Sequence, residues 1–213
     1  MRYPPSHKQA IRHRILAAAG RVFRERGVAE TGVDEVMRAA GLTHGGFYAY
    51  FEDKAQLVAE ASAAAFAAAI PNLERIAAGP TAAARARLLI DSYLAPRHRD
   101  NRGTGCFVVA VGADMARVEG GLRSRYAREF SGHLDRLAAA LRLRSDPREN
   151  RERVALLLSS LVGALLLARA IEAPAESDAL LHAMRRKLRA EFAPESTASS
   201  AAPRPAHDFM RAF

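Results

Sequence analysis

Residues 41–51 read GLTHGGFYAYF. Gly45 and Gly46 stand together at the front of a segment otherwise patterned as helix, and four of the chain's fourteen aromatic residues, Phe47, Tyr48, Tyr50 and Phe51, follow them. Each glycine inside a helix costs about 1 kcal/mol against alanine, so the pair calls for a geometric or functional reason. Thr43 is a good N-cap and predicts a helix of about seven residues opening there. Bulk at that first turn would hold the backbone away from a DNA duplex; without it, main-chain amides and Thr43 reach phosphates and base edges. Phe47 and Phe51, one turn apart, are expected to point inward, leaving Tyr48 and Tyr50 outside with hydroxyls suited to phosphate oxygens.

The flanks extend this reading. In TGVDEVMRAAG, residues 31–41, Val33, Val36, Met37 and Ala40 recur at helical spacing. Thr31 or Gly32 suits its start, Asp34 and Glu35 its positive end, and Gly41 the left-handed position beyond its end. Two short helices joined through a glycine turn make a helix-turn-helix at about residues 31–51. From Lys8, the residues Ile11, Ile15, Leu16, Ala19, Val22 and Phe23 predict a covering first helix stopped by Gly27. Asp53 starts a fourth helix, with Lys54 at its head as a phosphate contact. His44, in the first turn of the recognition helix, is a candidate donor to a base or phosphate. Arg2 and Tyr3 of an arm, residues 1–7, with Lys8 directly after it, are read either as a minor-groove or phosphate contact or as a solvated tail.

Beyond residue 68 the pattern stays helical, and an all-α fold is expected. The alanine-rich run from Lys54 predicts a long helix ending near Pro71. RARLLIDSYLAP is another helix closed at Pro96, and RHRDNRGTG, residues 97–105, reads as a mobile polar loop. Cys106–Val118 reads as a buried helix. Leu122, Tyr126, Phe130, Leu134, Leu137 and Leu141 line one face of the next. Asp146, Pro147 and Glu149 make a strong helix start, and the helix that follows, to Ile171, is apolar on nearly every side. Such a helix has to be covered all round, and one solution packs it and the last helix, residues 176–192, against their copies in a homodimer. Residues 193–213 have the composition of a disordered tail.

The formal charge of +9 comes from 29 Arg and 3 Lys against 23 acidic residues. Residues 1–26 hold seven basic side chains against Glu25 alone, so a polyanion is expected to meet this end first. The single cysteine, Cys106, excludes an intrachain disulfide and fits a reducing cytoplasm. Neither a secretory signal nor a membrane span is expected, the longest uncharged apolar run being the fifteen residues between Arg153 and Arg169. Histidines 98, 133 and 182 have no metal spacing, so neither metal nor cofactor is expected. No convergent acid-base or nucleophilic set points to an enzyme, and a nonspecific architectural DNA-binding protein would leave the large C-terminal half unexplained.

The run from residue 8 to 68 resembles the DNA-binding domain of the tetracycline-repressor (TetR/AcrR) family of bacterial regulators. The likeness rests on the first helix, the A-G-hydrophobic-T-x-G turn, the aromatic Y-x-x-F ending the third helix and the lysine opening the fourth. Gly32 stands where a second hydroxyl residue is usual, and Tyr50 where many members have histidine. The resemblance implies an all-α homodimeric regulator, most simply a repressor, reading a two-half-site double-stranded DNA operator in the major groove. It implies DNA contact through Thr43, His44, Gly45, Gly46, Tyr48, Tyr50 and Lys54, and a second domain, residues 69–192, for an unknown small-molecule effector. The C-terminal part is similar to a branch with some cysteine-based electrophile sensors. Cys106, opening its helix, is accordingly a candidate sensor or else a packing residue, with Phe107, Tyr93, Met115, Tyr126, Phe130 and Arg169 as candidate effector-pocket residues.

Overall fold

The computed structural model describes residues 5–194; Arg2 and Tyr3 of the arm and residues 195–213 of the tail lie outside the described residues. Among the described residues every regular element is helical. They are α1 (Pro5–Arg26), α2 (Val33–Ala39), a 3₁₀ helix η1 (His44–Ala49), α3 (Lys54–Ala68), α4 (Ile70–Ala77), α5 (Ala82–Tyr93) and α6 (Pro96–Asp100). A second 3₁₀ turn η2 (Arg102–Thr104), α7 (Phe107–Arg117), α8 (Gly121–Leu141), α9 (Pro147–Ala170) and α10 (Pro174–Phe192) follow. They divide into two units: residues up to 68 with 102–130, and 69–101 with 131 onward.

The first unit is built on one apolar core. Ile15, Ala19 and Phe23 of α1 meet Val36 and Met37 of α2, Phe47 and Phe51, Leu57 and Val58 of α3, and Phe107, Val111 and Met115 of α7. α1 begins at Pro5, so positions 5–7 are helical rather than an extended arm. It ends at Gly27, whose φ of +83° is the left-handed region that costs other residues about 1–2 kcal/mol. A Cβ there would also lie 3.0 Å from Asp114 Oδ2. That same oxygen accepts the Val28 N–H at 2.6 Å, so α7 closes the turn between α1 and α2. Arg24 ties the two elements a second time: its Nε donates to the Gly105 carbonyl at 2.8 Å and its guanidinium lies 5.2 Å from the Phe107 ring centre.

In the second unit, α4 was not anticipated. Pro71 lies in the first turn of α4, where its missing N–H costs nothing, so the proline restarts a helix rather than closing one. The polar stretch 97–105 is not a loop either, because Pro96 opens α6 and Arg102 opens η2. His98, read as a loop residue, is fully buried: its Nδ1 lies 2.7 Å from the Tyr93 carbonyl oxygen and its ring meets the Tyr93 ring edge-on at 4.7 Å. α9 opens as expected, Asp146 accepting the Glu149 N–H at 2.8 Å with Pro147 in the first turn. Asn150 then fastens the preceding turn, donating to the Ala138 carbonyl and accepting the Leu143 N–H.

α9 buries Val154, Leu157, Leu161 and Leu165 but leaves Leu156, Leu166 and Leu167 at least half exposed. Its cover within one chain is therefore one-sided. An eighteen-residue window of α9, longer than the uncharged run, reaches a mean hydropathy of 1.7, which by length and composition is enough to cross a membrane. The helix is nevertheless anchored in its unit at both ends. Arg153 donates to the Glu191 carboxylate at 2.6 Å and stacks 4.5 Å from the Phe192 ring centre, while Arg169 donates to the carbonyls of His98 at 2.8 Å and Arg99 at 3.1 Å.

Candidate nucleic-acid interface

α2, the turn and η1 form the expected helix-turn-helix. Gly41 adopts φ +68°, and the Leu42 N–H returns to the Met37 carbonyl at 2.9 Å, which seals the C-terminal end of α2. At the other end Gly32, not Thr31, takes the N-cap position and contributes no side-chain bond. Thr31 is buried, and its hydroxyl donates to the Gly27 carbonyl at 2.6 Å. The segment after Thr43 is a six-residue 3₁₀ helix rather than an α-helix, and Thr43 makes no capping bond. Its side chain is thus not committed to the helix it precedes.

In η1 and just beyond it, Phe47 and Phe51 turn inward and Tyr48 outward as expected, but Tyr50, expected outside, packs partly against the core. Phe47 and Phe51 are 1% and 2% exposed and stack with ring centres 5.6 Å apart, whereas Tyr48 is 68% exposed. Tyr50 is half-buried, with the Lys8 amine 6.0 Å from its ring centre. Thr43, His44 and Gly45 are exposed, Gly46 and Lys54 half-buried. Lys54 sits at the first position of α3 because Asp53 caps that helix, accepting the Gln56 N–H at 2.7 Å while the Gln56 side chain accepts from Glu52 N–H.

The two glycines have no internal cause. A Cβ on Gly45 would meet nothing within 4 Å, and one on Gly46 would make only an ordinary contact with the Met37 methyl at 3.6 Å. Neither residue has a left-handed φ. The positions are therefore open toward whatever lies outside the chain.

Charge is distributed less simply than composition suggests. Arg12 pairs with Glu60, with its guanidinium over the Phe51 ring, and Arg26 pairs with Glu35 at 2.9 Å. Together with Arg24, three of the seven cations of residues 1–26 are engaged internally, while Lys8, Arg14 and Arg21 remain exposed. His44 Nδ1 faces the Asp34 carboxylate. Spacing within the recognition segment offered no signal for that partner, which stands a helix earlier.

The effector candidates separate. Cys106, Phe107, Met115, Tyr126 and Phe130 belong to the first unit, Tyr93 and Arg169 to the second. Phe107 and Met115 are core residues at 4% and 2% exposure, and Tyr126 and Phe130 stack in parallel at 6.5 Å. Tyr93, fully buried, packs on His98. Cys106 is half-buried at the N-cap position of α7. Burial, and secondarily its closeness to Cys106, pushes the Tyr126 phenol up, and its hydroxyl is buried without a hydrogen-bond partner. Burial lowers the Arg24 guanidinium, an effect that the neighbouring Cys106 opposes. Among the described residues no three His, Cys, Asp or Glu side chains are grouped as a metal site requires.

Comparison with known proteins places the similarity on this interface. Residues 15–61 match the model of a family described as bacterial regulatory proteins, tetR family. The HTH-type transcriptional regulator AcrR of Shigella flexneri is 42% identical over 52 residues, and TtgR of Pseudomonas putida 44% identical over 50. Each match spans 24% of this chain and 24% of the relative. Solved structures are alike over most of the chain. A TetR family regulator from Cytophaga hutchinsonii superposes with a TM-score of 0.70 at 20% identity, covering 91% of this chain and all of that one. Regulatory protein TetR from Rhodobacter sphaeroides gives 0.68 at 24% identity, covering 84% and 97%; reduced E. coli NemR gives 0.67 at 20%, covering 84% and 95%. At these identities the likeness is one of fold.

Proposed function

We propose that this chain, whose residues 15–61 match the tetR family of bacterial regulatory proteins, is a homodimeric transcriptional repressor released from a palindromic operator by an effector. The observation that carries the reading is η1 itself: two glycines that nothing within the chain requires, beside an uncommitted Thr43 and an exposed Tyr48, on a helix anchored from behind by Phe47 and Phe51. Anchoring fixes the helix, and the bare first turn lets its amides and Thr43 approach base edges and phosphates. Tyr48, Tyr50 and Lys54 hold the backbone of the duplex, and His44 adds a donor once it leaves Asp34.

Exposed Leu156, Leu166 and Leu167 support the dimer through α9 and α10, since a second copy gives those side chains the cover one chain lacks. The pair of recognition helices would then read half-sites about 34 Å apart or a multiple of that spacing. The protein acts in the cytoplasm and has no catalytic role in this reading. As effector site we favour the α7 region, where Cys106 neighbours Arg24, and Arg24 and Asp114 connect α7 to the end of α1. A reagent that modified the thiol, or a small molecule seated beside Tyr126 and Phe130, would disturb those ties and shift the position of the head.

The test is a specificity ratio at fixed salt, with a duplex selected by the protein from a random pool against unselected duplex. Lys54→Ala is expected to weaken both and to flatten the salt dependence, whereas Thr43→Ala weakens the selected duplex more. Equal losses on both duplexes for Thr43→Ala would overturn the base-reading role, and the absence of any selected sequence would indicate a nonspecific DNA-binding protein. For the thiol, alkylation of Cys106 is expected to lower operator affinity; unchanged affinity, with a normal cellular response from Cys106→Ser, would remove it as the sensor.

A further inference from the structure

Between α5 and α10 the second unit holds a cavity of about 600 Å³ with a cationic wall. Arg87 comes from α5; His182, Arg185, Arg186 and Arg189 come from α10, at the i, i+3, i+4, i+7 spacing that puts them on one helix face. The rest of the lining is alanine and proline, with no carboxylate. Asp91, the acid beside it, is already bonded to the Arg189 Nε at 2.5 Å. Arg185 donates one terminal nitrogen to the Leu94 carbonyl at 2.6 Å, yet its Nε is buried without a hydrogen-bond partner. Four arginines and a histidine thus face one cleft whose lining holds no carboxylate, so an anion is the occupant that offsets their charge.

Size narrows the occupant. Concave sites of roughly 300–1,000 Å³ hold small molecules, and guanidinium groups match phosphate and carboxylate oxygens in paired hydrogen bonds. We infer that this cavity binds a small polyanion carrying two or more phosphate or carboxylate groups. The site is separate from the DNA-reading head and does not depend on that reading. It is also clear of the α9 side of α10, where Glu191 accepts from Arg153, because residues 186 and 191 lie on opposed faces of the helix.

The experiment is calorimetric titration of inorganic pyrophosphate and, separately, citrate into the full chain without DNA at moderate salt. One saturable site per chain is expected for at least one of them, and the arm that binds distinguishes phosphate from carboxylate. Arg186→Gln and Arg87→Gln should each weaken binding about tenfold or more, the loss of one charge-assisted hydrogen bond. Arg186 is exposed, so its replacement leaves the fold in place, which a melting curve checks. Lys54→Ala, in the head, should leave the affinity unchanged. No saturable binding by either anion, or an affinity unchanged from the parent in both arginine variants, would overturn the inference, as would loss of binding in Lys54→Ala.

Discussion

Gly45→Ala is expected to separate folding from DNA binding. The added methyl meets no heavy atom within 4 Å, and the residue has no left-handed φ, so the chain itself offers no clash or strain. Alanine also restricts the unfolded chain, which stabilises the fold by about 0.4–1 kcal/mol where the backbone is compatible. Against DNA the sign reverses. If the main chain of η1 comes within hydrogen-bonding distance of a phosphate or base edge, the methyl occupies that space. Loss of one such bond costs about 1–3 kcal/mol, or roughly five- to hundredfold in affinity. Urea unfolding and fluorescence anisotropy on a selected duplex at fixed salt measure the two effects on the same protein. Gly46→Ala provides a graded comparison, since its methyl touches Met37 at 3.6 Å and so carries a small internal contact as well. The reasoning is refuted if both variants fold normally and bind the selected duplex as the parent does. It is equally refuted if Gly45→Ala is destabilised by more than about 1 kcal/mol, for then the glycine answers to the fold.

Asp114→Ala should lower first-unit stability by about 1.5–3 kcal/mol in urea unfolding, because the Val28 N–H loses an ionised acceptor at 2.6 Å; Asp114→Asn, which keeps an acceptor, should recover part of that. Burial, partly opposed by its bond to the Tyr93 carbonyl, lowers His98 from 6.5 to about 4, so below its unfolded value the unfolded chain binds the extra proton and stability falls as pH drops toward the folded value. Between about pH 7 and about pH 5 this group should remove about 2 kcal/mol, a slope that His98→Gln should flatten in urea melts taken across that window. Leu156→Glu with Leu167→Glu, both more than half exposed, should leave the monomer folded while shifting sedimentation from dimer to monomer.

Where a signal is local, the sequence carried it. The apolar spacing of residues 11–23 and 33–40, the helix stop at Gly27, the left-handed Gly41 and the Asp146-Pro147 start all appear in the structure as read, because caps and periodicity act within one turn of the residues that produce them. The inward pair Phe47 and Phe51 was legible for the same reason. Helix type was harder. Thr43 looks like a cap, but glycines at the second and third positions of a six-residue helix leave little to favour i→i+4 over i→i+3 bonding, and the Tyr50 N–H returns to Phe47 at 2.9 Å.

What stayed hidden depends on partners distant in the chain. RHRDNRGTG looks polar enough to be a loop, yet His98 is buried because α6 carries it against Tyr93, and Arg99, from the same run, bonds Asp178 at 2.6 Å. Arg24 stands near the Cys106 thiol, whereas Arg169, a candidate effector-pocket residue, donates to two carbonyls of the second unit. No periodicity could have made that choice, since both arginines lie on helices and only packing decides which side chain reaches the start of α7. Arg24 stands on α1, which shares one core with α2 and Phe47, so under the proposed sensing role a change at Cys106 would act on that helix. A Cys106 modification that altered DNA affinity in the parent but not in Arg24→Gln, with both proteins folded, would identify that guanidinium as the link; the same response in both would place the link elsewhere.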